Sequence, residues 1–167
     1  MKKLLLAIVG LMAITATYSQ TTAKLIRTER KYEVNEMAIR NFKVDFPTAI
    51  NPTYTRTKSF DEVRFTDNGV QSTAFYDWNS KLVGTTTRKQ FSDLPASARK
   101  DILKQWKGYQ VGEIILFNDN EENDADMELY GTAFDDADNY FVSLKKANKV
   151  IVVKVTTAGM VNFFSER

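Results

Sequence analysis

Short segments rich in β-branched and aromatic residues dominate the chain after residue 60, and tight turns separate them. Residues 63–66 alternate in polarity, Asp67-Asn68-Gly69 supplies a tight turn, and residues 70–77 return along the first segment. Strands joined by such short turns pair antiparallel, because a parallel connection needs a dozen or more residues. The sequence therefore predicts an antiparallel meander, with further strands over residues 81–87, 109–117, 127–134, 140–145, 149–156 and 160–164.

Two segments have helical periodicity instead. Apolar residues recur at helical spacing from Val34 to Phe46, which predicts a first helix beginning near residue 31 and ending before Pro47. A second helix is predicted after Pro95 and runs to Trp106. Ser92 or Asp93 is its predicted cap, and Gly108 its terminator. A turn-rich connector is predicted over residues 47–59, and a leader or edge strand over residues 20–30.

The first residues have the composition of a secretory signal peptide. Lys2 and Lys3 precede an uncharged apolar run over residues 4–16, and small and polar residues follow. This run is shorter than the roughly 20 residues that a membrane-spanning helix needs. We therefore predict that 1–19 is a signal peptide and that 20–167 is a single domain, periplasmic or secreted.

The charged and reactive residues exclude several classes of function. The chain has 23 Lys+Arg and 21 Asp+Glu, so loss of Lys2 and Lys3 leaves a neutral domain without a general attraction for nucleic acid. Cysteine and histidine are both absent. Their absence excludes disulfides, a cysteine-linked lipid, thiolate metal sites and catalytic arrangements that use histidine. We therefore predict a protein that is not an enzyme, with no cofactor, no nucleic-acid partner and no membrane association after cleavage.

Two parts of the chain have the same predicted order of strands and turns. Residues 63–83 and 142–161 both give a strand, a turn, a second strand, a second turn and a short strand, and a helix is predicted before each. Two related halves, 30–90 and 91–167, would share one sheet. Any meander gives some of this pattern, so a duplication and a plain meander both remain open.

Several short motifs follow one another in a specific order between residues 34 and 110. They are FKVDFP (42–47), VRF (63–65), DNG (67–69), AFYD (74–77), KLV (81–83), LP (94–95) and GY (108–109). In this order they resemble the PepSY-like family of β-lactamase-inhibitor-like periplasmic proteins.

The resemblance implies an α+β fold, an antiparallel β-meander sheet with two helices packed on one face, and two PepSY-like repeats in some members. It also implies an exported, non-catalytic protein that grips a partner protein with the concave sheet face and adjacent loops. The acidic segment at residues 118–128 departs from the family's usual spacing.

That acidic segment is the most prominent polar feature of the sequence. Clustered carboxylates bind hard cations, so calcium is one interpretation. An EF-hand loop would need a glycine and a glutamate at fixed positions that the segment lacks. A solvated loop without metal is the alternative. The candidate calcium ligands are Asp119, Glu121, Asp124 and Asp126.

Three aromatic residues are candidates for contact with a partner. Trp78 lies in a polar turn, and exposed aromatic residues often anchor interfaces. Tyr54 lies on the predicted connector, and Tyr76 lies near the end of a predicted strand. Packing of Trp78 into the core is the alternative.

Three functional hypotheses follow. The first, favoured by the missing cysteine and histidine, is an exported non-catalytic binding module that inhibits or senses an envelope protein or peptide. The second is a carboxylate-based envelope hydrolase, since paired acids alone can cleave glycosidic bonds. The third is a calcium-stabilised structural protein of the envelope.

Overall fold

The computed structural model describes residues 33–135 and 137–167. The predicted signal peptide and the leader or edge strand predicted at residues 20–30 lie outside the described residues, as does Asp136. No helix within the described ranges is long and apolar enough to cross a membrane.

The described chain contains two α-helices, a 3-10 helix at Phe91–Asp93 and ten strands. Eight strands form one antiparallel sheet in the order β1-β2-β3-β4-β5-β8-β9-β10, and the other two form a separate hairpin. The elements are α1 (Glu36–Asp45), β1 (Ile50–Arg56), β2 (Asp61–Asp67), β3 (Val70–Tyr76), β4 (Leu82–Lys89), α2 (Ala96–Gln105), β5 (Gln110–Asp119), β6 (Met127–Leu129), β7 (Thr132–Phe134), β8 (Asn139–Lys146), β9 (Lys149–Thr156) and β10 (Val161–Glu166).

Strand β1 corrects the connector predicted over residues 47–59. It pairs antiparallel with β2 at the sheet edge, and its register shifts between Ile50 and Thr53. Pro52 lies in this irregular stretch, and an edge strand or bulge tolerates a residue without an N–H donor. Proline in this segment is therefore compatible with an edge strand and does not by itself indicate a turn.

The segment predicted as one strand over residues 127–134 is a hairpin of two short strands. Tyr130 and Gly131 both have positive φ angles, 54° and 75°, and turn the chain between β6 and β7. Two successive residues with positive φ give the tight turn that suits a two-residue hairpin loop.

The start of α2 also differs from the prediction. The Asp93 carboxylate accepts the Gln90 N–H at 2.7 Å and closes the 3-10 helix, whereas α2 begins at Ala96 with Pro95 as its N-cap residue. Neither Ser92 nor Asp93 is therefore the cap of α2. Gly108, with φ at 86°, turns the chain away after the helix as predicted.

Both helices pack on one face of the large sheet, here called the helix face. Helix α1 buries Ala38 and Phe42 in a cluster with Val63, Phe65, Ala74 and Tyr76. Helix α2 buries Ala98 and Ile102 on apolar residues of β5, β8 and β9. Strand pairing places these partners on the same side, which confirms two helices on one face of an antiparallel sheet.

The opposite side, here called the hairpin face, is covered at one end of its strands by β6 and β7. Phe134 of the hairpin lies 4.9 Å from Phe141 and 5.2 Å from Phe117, measured between ring centroids, and Phe164 lies 4.9 Å from Phe141. Strands β8 and β9 are thus buried on both faces. This explains the continuous apolar run in β9, since a strand buried on one face alone would alternate.

Each half of the described chain consists of one helix followed by four strands of the large sheet. Helix α1 precedes β1–β4, and α2 precedes β5, β8, β9 and β10, with the β6–β7 hairpin inserted. The two echoing segments fall on β2–β4 and β8–β10. A duplication remains a prediction.

Candidate functional site

A polar depression lies on the hairpin face, where β6 and β7 leave strands β2–β5 uncovered. It measures about 430 Å³, a size in the range of ligand sites. We call it the trough. Its lining residues are Arg64, Gln71, Ser72, Thr73, Thr86, Arg88, Glu113 and Ile115.

The register of the strands explains why these side chains meet. Arg64 on β2 lies opposite Thr73 on β3, and Thr73 lies opposite Thr86 on β4. Arg88 follows Thr86 by two residues and so projects from the same face. Two strand spacings and two residues of offset place the Cα atoms of Arg64 and Arg88 about 12 Å apart. Both guanidinium groups can therefore reach the space above Thr73.

The two arginines differ in their partners. Arg88 donates to the Gln71 amide oxygen at 3.4 Å and lies 3.9 Å from a Glu113 carboxylate oxygen. Both side chains of that ion pair are about half exposed, so the pair contributes little. The Arg64 side chain forms no hydrogen bond or ion pair with another described residue, and it is exposed. The lining of the trough thus contains two guanidinium groups and one carboxylate, and a second carboxylate, Glu62, lies outside the lining and interacts electrostatically with Arg64.

A second, smaller cleft of about 220 Å³ lies beside the β1–β2 turn and is lined by Glu62, Glu128 and Tyr130, among others. Burial raises the pKa of Glu62 above its usual value, and Arg64 and a hydrogen bond with Thr57 lower it in part. Glu128 accepts a hydrogen bond from the Ser59 hydroxyl at 3.3 Å. The cleft brings together one acid with a raised pKa and one exposed acid.

Trp78 is exposed, with 63% of its surface accessible. The Arg56 guanidinium stacks on its ring at 4.0 Å and forms an ion pair with the fully buried Asp61. Asp61 also accepts the backbone N–H of Asn35, the N-cap of α1. The alternative prediction, that Trp78 packs into the core, is therefore wrong, because the ring is exposed. The ring covers a buried ion pair, and this pair links α1 to the sheet through the Asn35 N–H.

The other two aromatic candidates are less available than the sequence suggested. Tyr76 is completely buried on the helix face, and its hydroxyl donates to Asp45 at 2.8 Å. A partner cannot reach it, so this candidate is corrected. Tyr54 lies on β1, half-buried against the edge of the Phe42 ring, with centroids 6.0 Å apart. It offers a partner only part of its ring.

Two asparagines fasten the acidic segment to β4. The Asn120 and Asn123 side-chain amides donate to the Leu82 carbonyl at 2.7 Å and 3.0 Å, and Asn123 also reaches Asp77. Across the described residues, no three acidic side chains are grouped as a metal site. The calcium ligands predicted at Asp119, Glu121, Asp124 and Asp126 are therefore not assembled into a cluster among these residues.

Comparison with known proteins identifies the fold. A BLIP-like protein from Bacteroides fragilis is similar in structure, with a TM-score of 0.61 at 12% identity over 81% of this chain and 87% of that chain. A DUF2874 family protein from Bacteroides uniformis has a TM-score of 0.64 at 14% identity over 81% and 89%. A protein from Bacteroides eggerthii, provisionally described as periplasmic, has a TM-score of 0.65 at 14% identity over 81% and 90%.

The chain therefore has a BLIP-like fold, as the resemblance implied. No protein-family model matches the sequence, and no curated protein matches it. The PepSY part of the resemblance remains a prediction.

The trough was missed at the level of sequence, although a signal was present. The signal is clear on β2, where Arg64 alternates with the apolar Val63 and Phe65, but residues 85–89 of β4, which include Thr86 and Arg88, are polar throughout. Such alternation predicts a face that the core does not use. The pairing register, which decides which of these residues are neighbours, became known only with the structure.

Proposed function

We propose that the protein is an exported, non-catalytic binding module that holds an envelope protein or peptide in the trough. The observation that carries this proposal is the uneven cover of the sheet. The helices cover one face and the hairpin covers one end of the other, so a polar surface across β2–β5 remains accessible.

Two further observations support binding over chemistry. The chain has no cysteine or histidine for catalysis, and its fold is shared with a BLIP-like protein. Inhibition or sensing of the bound partner is the use that this likeness suggests. Trp78, exposed in the β3–β4 turn, is a second contact point on the same proposal.

Site-specific crosslinking in the producing cell tests the proposal. A photoreactive amino acid replaces Thr73 in the trough, and a matched variant carries it at Lys104 on the exposed side of α2. We expect a discrete adduct from Thr73 alone, and we expect the purified partner to bind the unmodified protein in calorimetry. Equal labelling from both positions, or a purified partner that fails to bind, would refute a binding role for the trough.

A second candidate function is favoured by the pair of acids in the small cleft. Glu62, with its raised pKa, could act as a general acid and Glu128 as its partner in glycoside hydrolysis. The cleft of about 220 Å³ is below the size usual for a ligand site, which places this candidate second. Turnover of chromogenic glycosides that Glu62→Gln abolishes would establish it, and no turnover by the wild type would remove it.

A further inference from the structure

We infer that the trough recognises a carboxylate on an extended acidic segment of the partner protein, held between Arg64 and Arg88. This inference rests on the proposed function and names the chemistry of the partner. It follows from the geometry and charge of the trough, step by step.

The first step is the guanidinium group of Arg64, whose donors have no partner among the described residues. Glu113 is the one carboxylate that lines the trough with Arg64 and Arg88, and Glu62, which lies outside the lining, interacts electrostatically with Arg64 without forming an ion pair. A guanidinium group carries only donors and is always charged, so it favours a planar anionic acceptor. Glu113 lies 3.9 Å from Arg88 and leaves Arg64 without an ion pair among the described residues. The Arg64 donors therefore remain available to a carboxylate of a partner.

The second step is the floor between the two arginines. The Thr73 and Thr86 side chains lie opposite each other on adjacent strands, and neither hydroxyl has a side-chain hydrogen bond within the described part of the chain. A hydroxyl can donate to a carboxylate oxygen. The oxygen atoms of an anion above Thr73 would therefore meet the two threonine hydroxyls beneath them and the guanidinium groups of Arg64 and Arg88 on either side.

The third step decides among anions. A phosphate-rich or sulphate-rich polymer would bring dense negative charge against Glu113, which lines the trough. A protein segment with a carboxylate and uncharged neighbours avoids this repulsion, and its apolar atoms can contact Ile115. Charge complementarity therefore selects an acidic segment of a protein.

Fluorescence anisotropy with a labelled peptide that alternates threonine and glutamate tests this inference. We expect the wild-type protein to bind this peptide and not the same peptide with glutamine in place of glutamate. Arg64→Ala and Arg88→Ala should each weaken binding about tenfold, the effect expected from losing one charge-assisted hydrogen bond. Glu113→Gln should strengthen binding, because it removes the competing carboxylate.

Lys104→Ala is the matched control, since it removes one positive charge from an exposed site on α2. It should change the dissociation constant less than twofold. Equal binding of the two peptides, no binding of either, or equal effects of the arginine and Lys104 variants would overturn the inference. Phosphate and a sulphated disaccharide serve as competitors, and displacement of the peptide by either of these at lower concentration than by free glutamate would also overturn it.

The crosslinking experiment separates this inference from the proposed function. A specific adduct at Thr73 that the glutamate peptide does not suppress would leave a binding role for the trough and refute the acidic partner. Loss of the adduct in Arg64→Ala, together with suppression by the peptide, would support both.

Discussion

The buried ion pair between Arg56 and Asp61 gives the sharpest test of how this fold is held together. Asp61 is fully buried, and the Arg56 side chain is 7% exposed beneath Trp78. The arginine lies 2.5 Å from one carboxylate oxygen of Asp61, and the other oxygen has no hydrogen-bond partner among the described residues. Arg56→Met keeps the length of the side chain but leaves Asp61 with only the Asn35 N–H, at 3.3 Å.

An uncompensated buried charge is costly, so we expect Arg56→Met to lower the free energy of unfolding by about 3–5 kcal/mol. This is a large share of the roughly 5–15 kcal/mol that stabilises a domain of ordinary size. Urea unfolding followed by far-UV circular dichroism measures the change as a lower midpoint with an unchanged slope. Some folded protein should remain at low urea.

Two variants separate this explanation from a simple loss of packing. Arg56→Met combined with Asp61→Leu removes both charges, and it should recover to within about 1 kcal/mol of the wild type, because apolar residues often replace a buried ion pair without loss. Arg40→Met breaks the exposed pair with Glu36 at 3.6 Å and should change stability by less than about 0.5 kcal/mol. A double variant no more stable than Arg56→Met alone would refute the reasoning.

Four further predictions concern other parts of the molecule. Burial raises the pKa of Tyr130 to about 12, with Glu113 adding to the effect, and burial raises that of Tyr76 further. Both phenols therefore stabilise the fold fully below pH 10 and lose this contribution as the pH rises above it, so alkaline melting should be less steep for Tyr130→Phe. Gly84→Ala should lower the free energy of unfolding in urea by about 1–3 kcal/mol, because the added Cβ would lie 2.5 Å from the Phe117 ring. Trp78→Ala should cost about 0.5–1 kcal/mol through loss of the stacked arginine; a loss above 3 kcal/mol would mean that the ring carries core packing. Calcium should leave the melting temperature unchanged relative to chelator, since a ligand bound only to the folded state would raise it.

The elements that were predicted correctly are those whose local sequence pattern is compatible with only one type of secondary structure. Asp67-Asn68-Gly69 fixes a hairpin because Asn68 and Gly69 adopt positive φ, 47° and 79°. Helix α1 follows from the spacing of Ala38 and Phe42, which are both buried. In each case residues a few positions apart determine the outcome.

The features that were missed depend on contacts between distant residues. Strand β1 is polar and contains Pro52, and it becomes a strand only because β2 offers a ladder to pair with. The prediction that Tyr76 contacts a partner is wrong, because Tyr76 shares a strand face with Ala74 and therefore points toward α1. That correction could have been made from the period of two along β3. The position of the β6–β7 hairpin could not, because no local pattern shows which end of the sheet it covers.

The uneven cover of the hairpin face links the stability of the domain to its proposed use. Where the hairpin lies on the sheet, aromatic rings such as Phe117 and Phe141 pack against it, exclude water and stabilise the domain. Where it does not reach, the same face carries Arg64 and Arg88 over threonines, so it remains stable in water without a partner. Association at such a surface depends on charge more than on apolar area, and exposed charges are screened beyond about 10 Å at 0.1 M salt. Binding at the trough should therefore weaken steadily with ionic strength, whereas an interface built on Trp78 would be nearly insensitive to salt.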